Sequence, residues 1–155
     1  MTTALIAIDD CPESDDVMKQ AQRLLEPNTR FIVVSVVSPV TVAALSPEAM
    51  VVAPDMSELR GEAERVVHEA AGHLPGAAAT EAIVGDPVAS ICASAREHGV
   101  DVIVIGSHDR GWFSRVLDPP LRDRLVREAP CPVLVVRHDR SELDATATDR
   151  AATTR

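Results

Sequence analysis

The stretch from Asp101 to Arg137, DVIVIGSHDRGWFSRVLDPPLRDRLVREAPCPVLVVR, decides the fold. It opens with consecutive β-branched residues, Val102 to Ile105, which break off at Gly106. Such a run is typical of a strand that is buried on both faces of a parallel sheet. A helical pattern and a second apolar run, Val133 to Val136, follow it. Because phosphates bind where a strand leads through a loop into a helix N-terminus, the loop after Gly106 is the first candidate site.

The helix inside this stretch is predicted from its apolar spacing and its end from prolines. Pro130 and Pro132 stop the helix before the last strand begins. The predicted core-facing side is formed by Leu121, Leu125, Val126 and Ala129.

Composition restricts the class of protein. The chain has 155 residues, of which 46% are hydrophobic, 25% charged and only 2% aromatic. Its length suits one domain with a core of Val, Ile, Leu and Ala, which favours α/β packing. The scarcity of aromatic residues argues against a base-stacking platform. The formal net charge of −9 disfavours nucleic acid and anionic membrane surfaces as partners.

Targeting, metal and catalytic signals are not found in the sequence. The N-terminus enters an apolar run without a basic leader, and no run approaches the about 18 apolar residues of a membrane span. Cys11, Cys92 and Cys131 have no CxxC spacing, so we expect a reduced, cytoplasmic protein. His68 and His73 are too far apart on one helix to share a metal, and no GxSxG motif is present. We therefore expect no metal and no enzymatic activity.

Strand and helix patterns alternate along the whole chain. Acidic residues open the first helix, and Asp86 with Pro87 predicts the start of the third, which ends at Gly99. This alternation predicts a doubly wound parallel sheet of five strands with four helices. The predicted strands are Ala4–Ile8, Phe31–Val37, Ala78–Val84, Val102–Ile105 and Val133–Val136. The other predicted core faces are Val17, Ala21, Leu24 and Leu25 in the first helix, Leu59, Ala63, Val66, Val67, Ala70 and Leu74 in the second (Ser57–Leu74), and Val88, Ile91, Cys92 and Ala95 in the third.

Two segments lie outside this alternation. Residues 38–56 contain three prolines and predict a long connection with a short helix near 47–50, which either covers the domain or serves as a lid or contact surface. Residues 139–155 are polar and rich in Thr and Ala, and we expect a disordered tail after a domain of residues 1–138.

Four segments together resemble the universal stress protein family. They are Ala4-Leu5-Ile6-Ala7-Ile8-Asp9, Gly85-Asp86-Pro87, Gly99 to Ser107 (GVDVIVIGS), and Ala129 to Arg137 (APCPVLVVR). The resemblance implies an adenine nucleotide alpha hydrolase-like sheet of order 3-2-1-4-5. It also implies a role in the stress response and a homodimer joined through Val133–Val136.

The sheet order also predicts where a ligand binds. The strand order reverses between the first and fourth strands, and ligands of such sheets bind outside the carboxyl ends at that point. Those ends carry Asp9 and Gly106, and the resemblance assigns Asp9 to the adenosine and the backbone of Val36 to the base.

The nucleotide loop departs from the family's pattern. In ATP-binding members the sequence of this loop is similar to G-x2-G-x9-G-[S/T]. Gly106 matches the first glycine of the pattern. Asp109 stands at the second glycine, and Pro119 and Pro120 stand at the last two positions. Asp109 adds a negative charge, and prolines have no N–H to donate to a phosphate. The candidate nucleotide site is thus Asp9, Val36, Gly106, Ser107, Asp109, Pro120 and Leu121, in a degenerate form. His108, Arg110, Arg115 and Arg122 are nearby cations that could compensate in part.

Three hypotheses follow from the sequence. The first is a homodimeric stress-response module that uses no cofactor. The second is a module that still binds ATP or AMP, with Mg²⁺ and at most slow hydrolysis. The third is a scaffold for an unknown protein partner.

Overall fold

The computed structural model describes residues 1–10, 14–38, 55–74, 79–107 and 119–136. Five strands form one sheet in the order β3-β2-β1-β4-β5, and every neighbouring pair is parallel. The predicted doubly wound sheet of order 3-2-1-4-5 is therefore confirmed. The strands are β1 (Thr3–Ile8), β2 (Arg30–Val37), β3 (Ala79–Val84), β4 (Val102–Gly106) and β5 (Val133–Val136).

In the described part of the chain four helices cover the sheet, two on each face. On one face, α1 (Ser14–Leu24) and α2 (Met56–Ala71) bury Met18, Ala21 and Val67 against β1 and β2. On the other, α3 (Pro87–Glu97) and α4 (Pro119–Glu128) bury Ile91, Cys92 and Leu125 against Leu5 and Ile103. Both faces of β1 and β4 are thus covered by helices, which explains their unbroken apolar sequences.

Helix α3 begins and ends as its sequence predicts. The Asp86 side chain accepts a hydrogen bond from the Ala89 N–H at 2.8 Å, and Pro87 is the first helical residue. At the other end Gly99 has a φ of +59°, and the Val100 N–H donates to the Ala95 carbonyl at 3.0 Å. This is a Schellman motif, which favours glycine because the left-handed conformation strains other residues.

Two predicted core residues lie on the surface. Leu24 is 60% exposed and Val126 is 55% exposed. In α1 the buried stripe is centred nearer Met18 and Ala21, so Leu24 falls at its edge in the last helical position. In α4 Leu125 is the buried residue, and the next residue along a helix is turned away by about 100°. Both positions were therefore assigned wrongly to the core.

Several predictions fall on residues that the structure does not describe. They concern Cys11, residues 39–54 of the long connection with its short helix, Asp109 in the loop, and the tail 139–155. In the part of the chain that is described, no helix is long and apolar enough to cross a membrane.

Candidate functional site

The register of the sheet brings three of the predicted site residues together. Ile8 pairs with Ser35 of β2, and Ala7 pairs with Ile105 of β4. Continued to Asp9, one residue after Ile8 and two after Ala7, this register places Val36 on one side of Asp9 and Ser107 on the other. Neighbouring strands lie about 4.8 Å apart, so these residues form the rim of the crevice at the strand-order reversal.

Asp9 is almost buried at this rim. It is only 6% exposed, although it follows directly after β1. The Ser14 hydroxyl donates to the Asp9 carbonyl at 2.8 Å and lies 3.3 Å from Oδ1 of the same residue. Ser14 is the first residue of α1, so the start of this helix holds Asp9 in place. The only sequence signal for this contact is the hydroxyl residue Ser14 near the predicted start of the helix.

The residues on either side of Asp9 are engaged in the sheet. Val36 is buried within β2 and contributes to the core beneath the crevice. Gly106 is the last residue of β4 and pairs with Val136 of β5. The Ser107 N–H donates to the Val136 carbonyl at 2.8 Å, so this amide is already used within the protein.

Helix α4 returns the chain to the same edge of the sheet. Pro119 and Pro120 are its first two residues, and Leu121 follows in the first turn. A helix N-terminus normally presents free N–H groups to an anion, but these two positions have none. The Arg122 side chain is half-buried, and its Nε is shielded from solvent without a hydrogen-bond partner among the described residues. The first turn of α4 therefore has two backbone donors fewer than usual, and it carries the cation of Arg122.

An ion-pair network fastens α4 to the N-terminus of α3. Arg124 of α4 donates through Nη2 and Nη1 to the two carboxylate oxygens of Asp86, at 2.8 and 3.2 Å. Its Nε also donates to Glu128 at 3.0 Å. The hydrogen bond from Arg124 lowers the pKa of the Asp86 carboxyl below its ordinary value, and the same contact raises the pKa of Arg124. Asp86 therefore caps α3 and binds α4 at the same time.

A second ion pair joins α2 to the residue after Asp9. Arg65 Nη2 lies 3.0 Å from Asp10 Oδ2, and Arg65 Nη1 lies 3.7 Å from Glu69. Sequence reasoning missed both this pair and the Arg124 network, because their partners are far apart in the chain. The sequence offered only the cap position of Asp86 as a signal.

The described cysteines are structural rather than reactive. Burial raises the pKa of the Cys92 thiol and of the Cys131 thiol above their ordinary values. Both pack in the core cluster beneath α3, as the sequence predicts. Among the described residues, no group of three or more His, Cys, Asp or Glu side chains could hold a metal ion.

A comparison with models of protein families agrees with the sheet order and with the crevice described above. A model of the universal stress protein family matches residues 1–137. The chain belongs to the universal stress protein family. No protein of curated function matches it at a significant level.

Solved structures of universal stress proteins share the fold. The protein UspA from Lactobacillus plantarum is 21% identical with a TM-score of 0.58, over 88% of this chain and 97% of that one. A universal stress protein from Archaeoglobus fulgidus, in complex with dAMP, is 19% identical with a TM-score of 0.53, over 87% and 97%. A universal stress protein in complex with cAMP is 18% identical with a TM-score of 0.61, over 87% and 96%. These likenesses support the architecture alone.

Proposed function

We propose that this chain is a non-enzymatic regulatory module of the stress response, with a degenerate nucleotide site that does not bind ATP in the family manner. The observation that carries the proposal is the start of α4 at Pro119 and Pro120. At these two positions the pattern of ATP-binding family members has a glycine followed by a serine or threonine. The N–H and O–H groups of those residues bind phosphate. Proline supplies neither group.

Two further features weaken a phosphate site at this edge. The Ser107 N–H is occupied by the Val136 carbonyl at 2.8 Å. Asp109 brings a negative charge to the loop where the pattern has glycine. A hydrogen bond to a charged group contributes about 1.5 to 3 kcal/mol, so the loss of two donors lowers affinity by orders of magnitude.

The alternative is a module that still binds ATP or AMP, with Mg²⁺ and at most slow hydrolysis. Its support is that Asp9 and Val36 are retained at the carboxyl ends of β1 and β2. The shielded and unpartnered Nε of Arg122 in the first turn of α4 also favours an anion there. Two related proteins are described in complex with dAMP and with cAMP.

Native mass spectrometry of the purified protein distinguishes the two functions. If the site is degenerate, the measured mass should be that of the chain without nucleotide, both as purified and after incubation with ATP or AMP. A stoichiometric adduct would contradict the proposal. If that adduct then disappears in Asp9→Ala but not in the exposed control Asp123→Ala, the ligand lies in the crevice of the alternative.

The proposal includes a homodimer formed through β5. This strand lies at the edge of the sheet and pairs with β4 on one side, and Val135 on it is 36% exposed. An edge strand with exposed apolar side chains is a ready template for a second copy. Light scattering should give the mass of two chains, and Val135→Lys should give that of one. A monomeric wild type at micromolar concentration would refute this interface.

The proposed location is the cytoplasm. Cys92 and Cys131 are free thiols packed in the core region, as is usual in a reducing compartment. Fractionation of the source cells with an antibody against the chain tests this, and recovery outside the cytoplasmic fraction would contradict it.

A further inference from the structure

One edge of the sheet is formed by β3, which has no second neighbouring strand among the described residues. Within the described chain β3 pairs with β2 alone, and it is the last strand of the order on that side. The outer edge of such a strand carries main-chain N–H and C=O groups that an added strand can bind.

A cleft lies between this edge and α2. It has a volume of about 520 Å³, and the small side chains of Thr80 and Ala82 form its β3 wall. The opposite face of β3 is closed, because Ile83 packs in the core and Glu81 contacts His98 at the end of α3. An added strand would therefore place its side chains on the α2 side into this edge cleft.

The charges of the edge cleft differ from those of the chain as a whole. Arg60, Arg65 and His68 line it, with Glu64 as the one lining carboxylate of α2. Arg65 is already paired with Asp10. Arg60 and His68 are exposed and have no ion pair in the part of the chain described here. In a protein of net charge −9, Arg60 therefore offers a cation without an ion pair among the described residues to a carboxylate of a partner.

We propose that the edge cleft binds an extended acidic peptide segment of a partner protein as a sixth strand. The peptide backbone pairs with the outer edge of β3, and its carboxylates reach the side chains of Arg60 and His68. Main-chain pairing supplies affinity, and the alternate side chains that enter the cleft supply specificity. This surface does not depend on whether the crevice at Asp9 binds a nucleotide.

The test uses the full chain and fluorescent peptides of about six residues, the usual length of a strand. The first peptide has alternating valine and glutamate residues, and the second has lysine in place of each glutamate. The third has the sequence of the first with N-methylated amides, which cannot donate main-chain hydrogen bonds to a strand. Fluorescence anisotropy should show at least about tenfold tighter binding of the first peptide than of either control, a difference of about 1.4 kcal/mol. Equal affinity of the glutamate and lysine peptides, or no binding of the glutamate peptide at millimolar concentration, would overturn the proposal.

A pair of charge reversals assigns the binding to this cleft. Arg60→Glu should weaken the glutamate peptide at least about tenfold. Arg127→Glu, an exposed position on α4, should leave its affinity unchanged. Thermal melts verify that both variants are folded. An unchanged affinity in Arg60→Glu would refute the site, and so would a dimer that Arg60→Glu dissociates, since a second copy would then occupy the cleft.

Discussion

Asp86 allows the contributions of a helix cap and of an ion pair to be separated. Its carboxylate accepts the Ala89 N–H at 2.8 Å and also binds Arg124. Asp86→Ala removes both contacts, whereas Asp86→Asn keeps an acceptor for the cap and removes the charge. Because aspartate and asparagine cap helices about equally well, Asp86→Asn should lower the free energy of unfolding only slightly.

The expected cost of Asp86→Ala follows from the cap. Loss of an N-cap lowers the free energy of unfolding by about 1 to 2 kcal/mol, or about 2 to 8 °C in Tm for a domain of this size. The pair with Arg124 is exposed, with 46% of the Asp86 side chain accessible, so solvent screens it and its contribution is small. The order of stability should be wild type, then Asp86→Asn, then Asp86→Ala.

Thermal and chemical denaturation followed by circular dichroism measure this order. Asp123→Ala on the exposed side of α4 is the control and should have a Tm close to that of the wild type. If Asp86→Asn is as unstable as Asp86→Ala, then the ion pair rather than the cap holds this corner, and the reasoning is refuted.

The same series has a defined pH dependence. The pKa of the Asp86 carboxyl is lower in the folded state than its ordinary value of 3.8. The unfolded state therefore binds the proton first, and the charge stabilises the fold above pH 3.8. The small difference between wild type and Asp86→Asn should shrink as the pH falls through 3.8 and below. A difference that grows on acidification would contradict the direction of the shift.

Three other predictions test the core, a helix end and the thiols. Leu125→Ala should lower the free energy of unfolding by about 2 to 5 kcal/mol because it opens a cavity in the core. Val126→Ala removes a surface side chain and should lower the free energy of unfolding by less than about 1 kcal/mol. Equal losses in urea denaturation would contradict the assignment of Leu125 to the buried face. Gly99→Ala should lower the free energy of unfolding by about 1 to 2 kcal/mol. Open space surrounds the position, so this loss comes from the positive φ alone and not from a steric clash. An unchanged midpoint of urea denaturation would show that the turn adapts to alanine. Cys92 and Cys131 should react slowly with iodoacetamide in the native protein and quickly in urea, because burial raises their pKa values; mass spectrometry of labelled peptides that found equal rates would contradict this.

Much of the fold could be predicted because local signals were consistent with one another. The apolar runs predicted all five strands, and the resemblance supplied their order. Asp86 and Gly99 marked both ends of α3 through rules that depend on neighbouring residues only. The sequence was less informative about helix faces: Leu24 and Val126 fit the apolar spacing but lie at the edges of their stripes. An edge position depends on how the helix is rotated against the sheet, which spacing alone does not determine.

The candidate site was predicted in outline and not in its contacts. The positions of Asp9, Val36 and Gly106 follow from the strand ends, which are visible in the sequence, and from the strand order, which the resemblance supplied. The pairs Arg65–Asp10 and Arg124–Asp86 join residues 55 and 38 positions apart, so no local pattern indicates them. The degenerate chemistry of the loop remains a prediction from residue types.

Titration calorimetry with Mg-ATP on the wild-type chain tests the central claim most directly. The absence of phosphate donors at Pro119 and Pro120 predicts no measurable heat of binding at micromolar protein concentration. The double variant Pro119→Gly, Pro120→Ser, which restores the donors, should gain affinity if it remains folded. Saturable binding of Mg-ATP to the wild type with micromolar affinity would contradict the account.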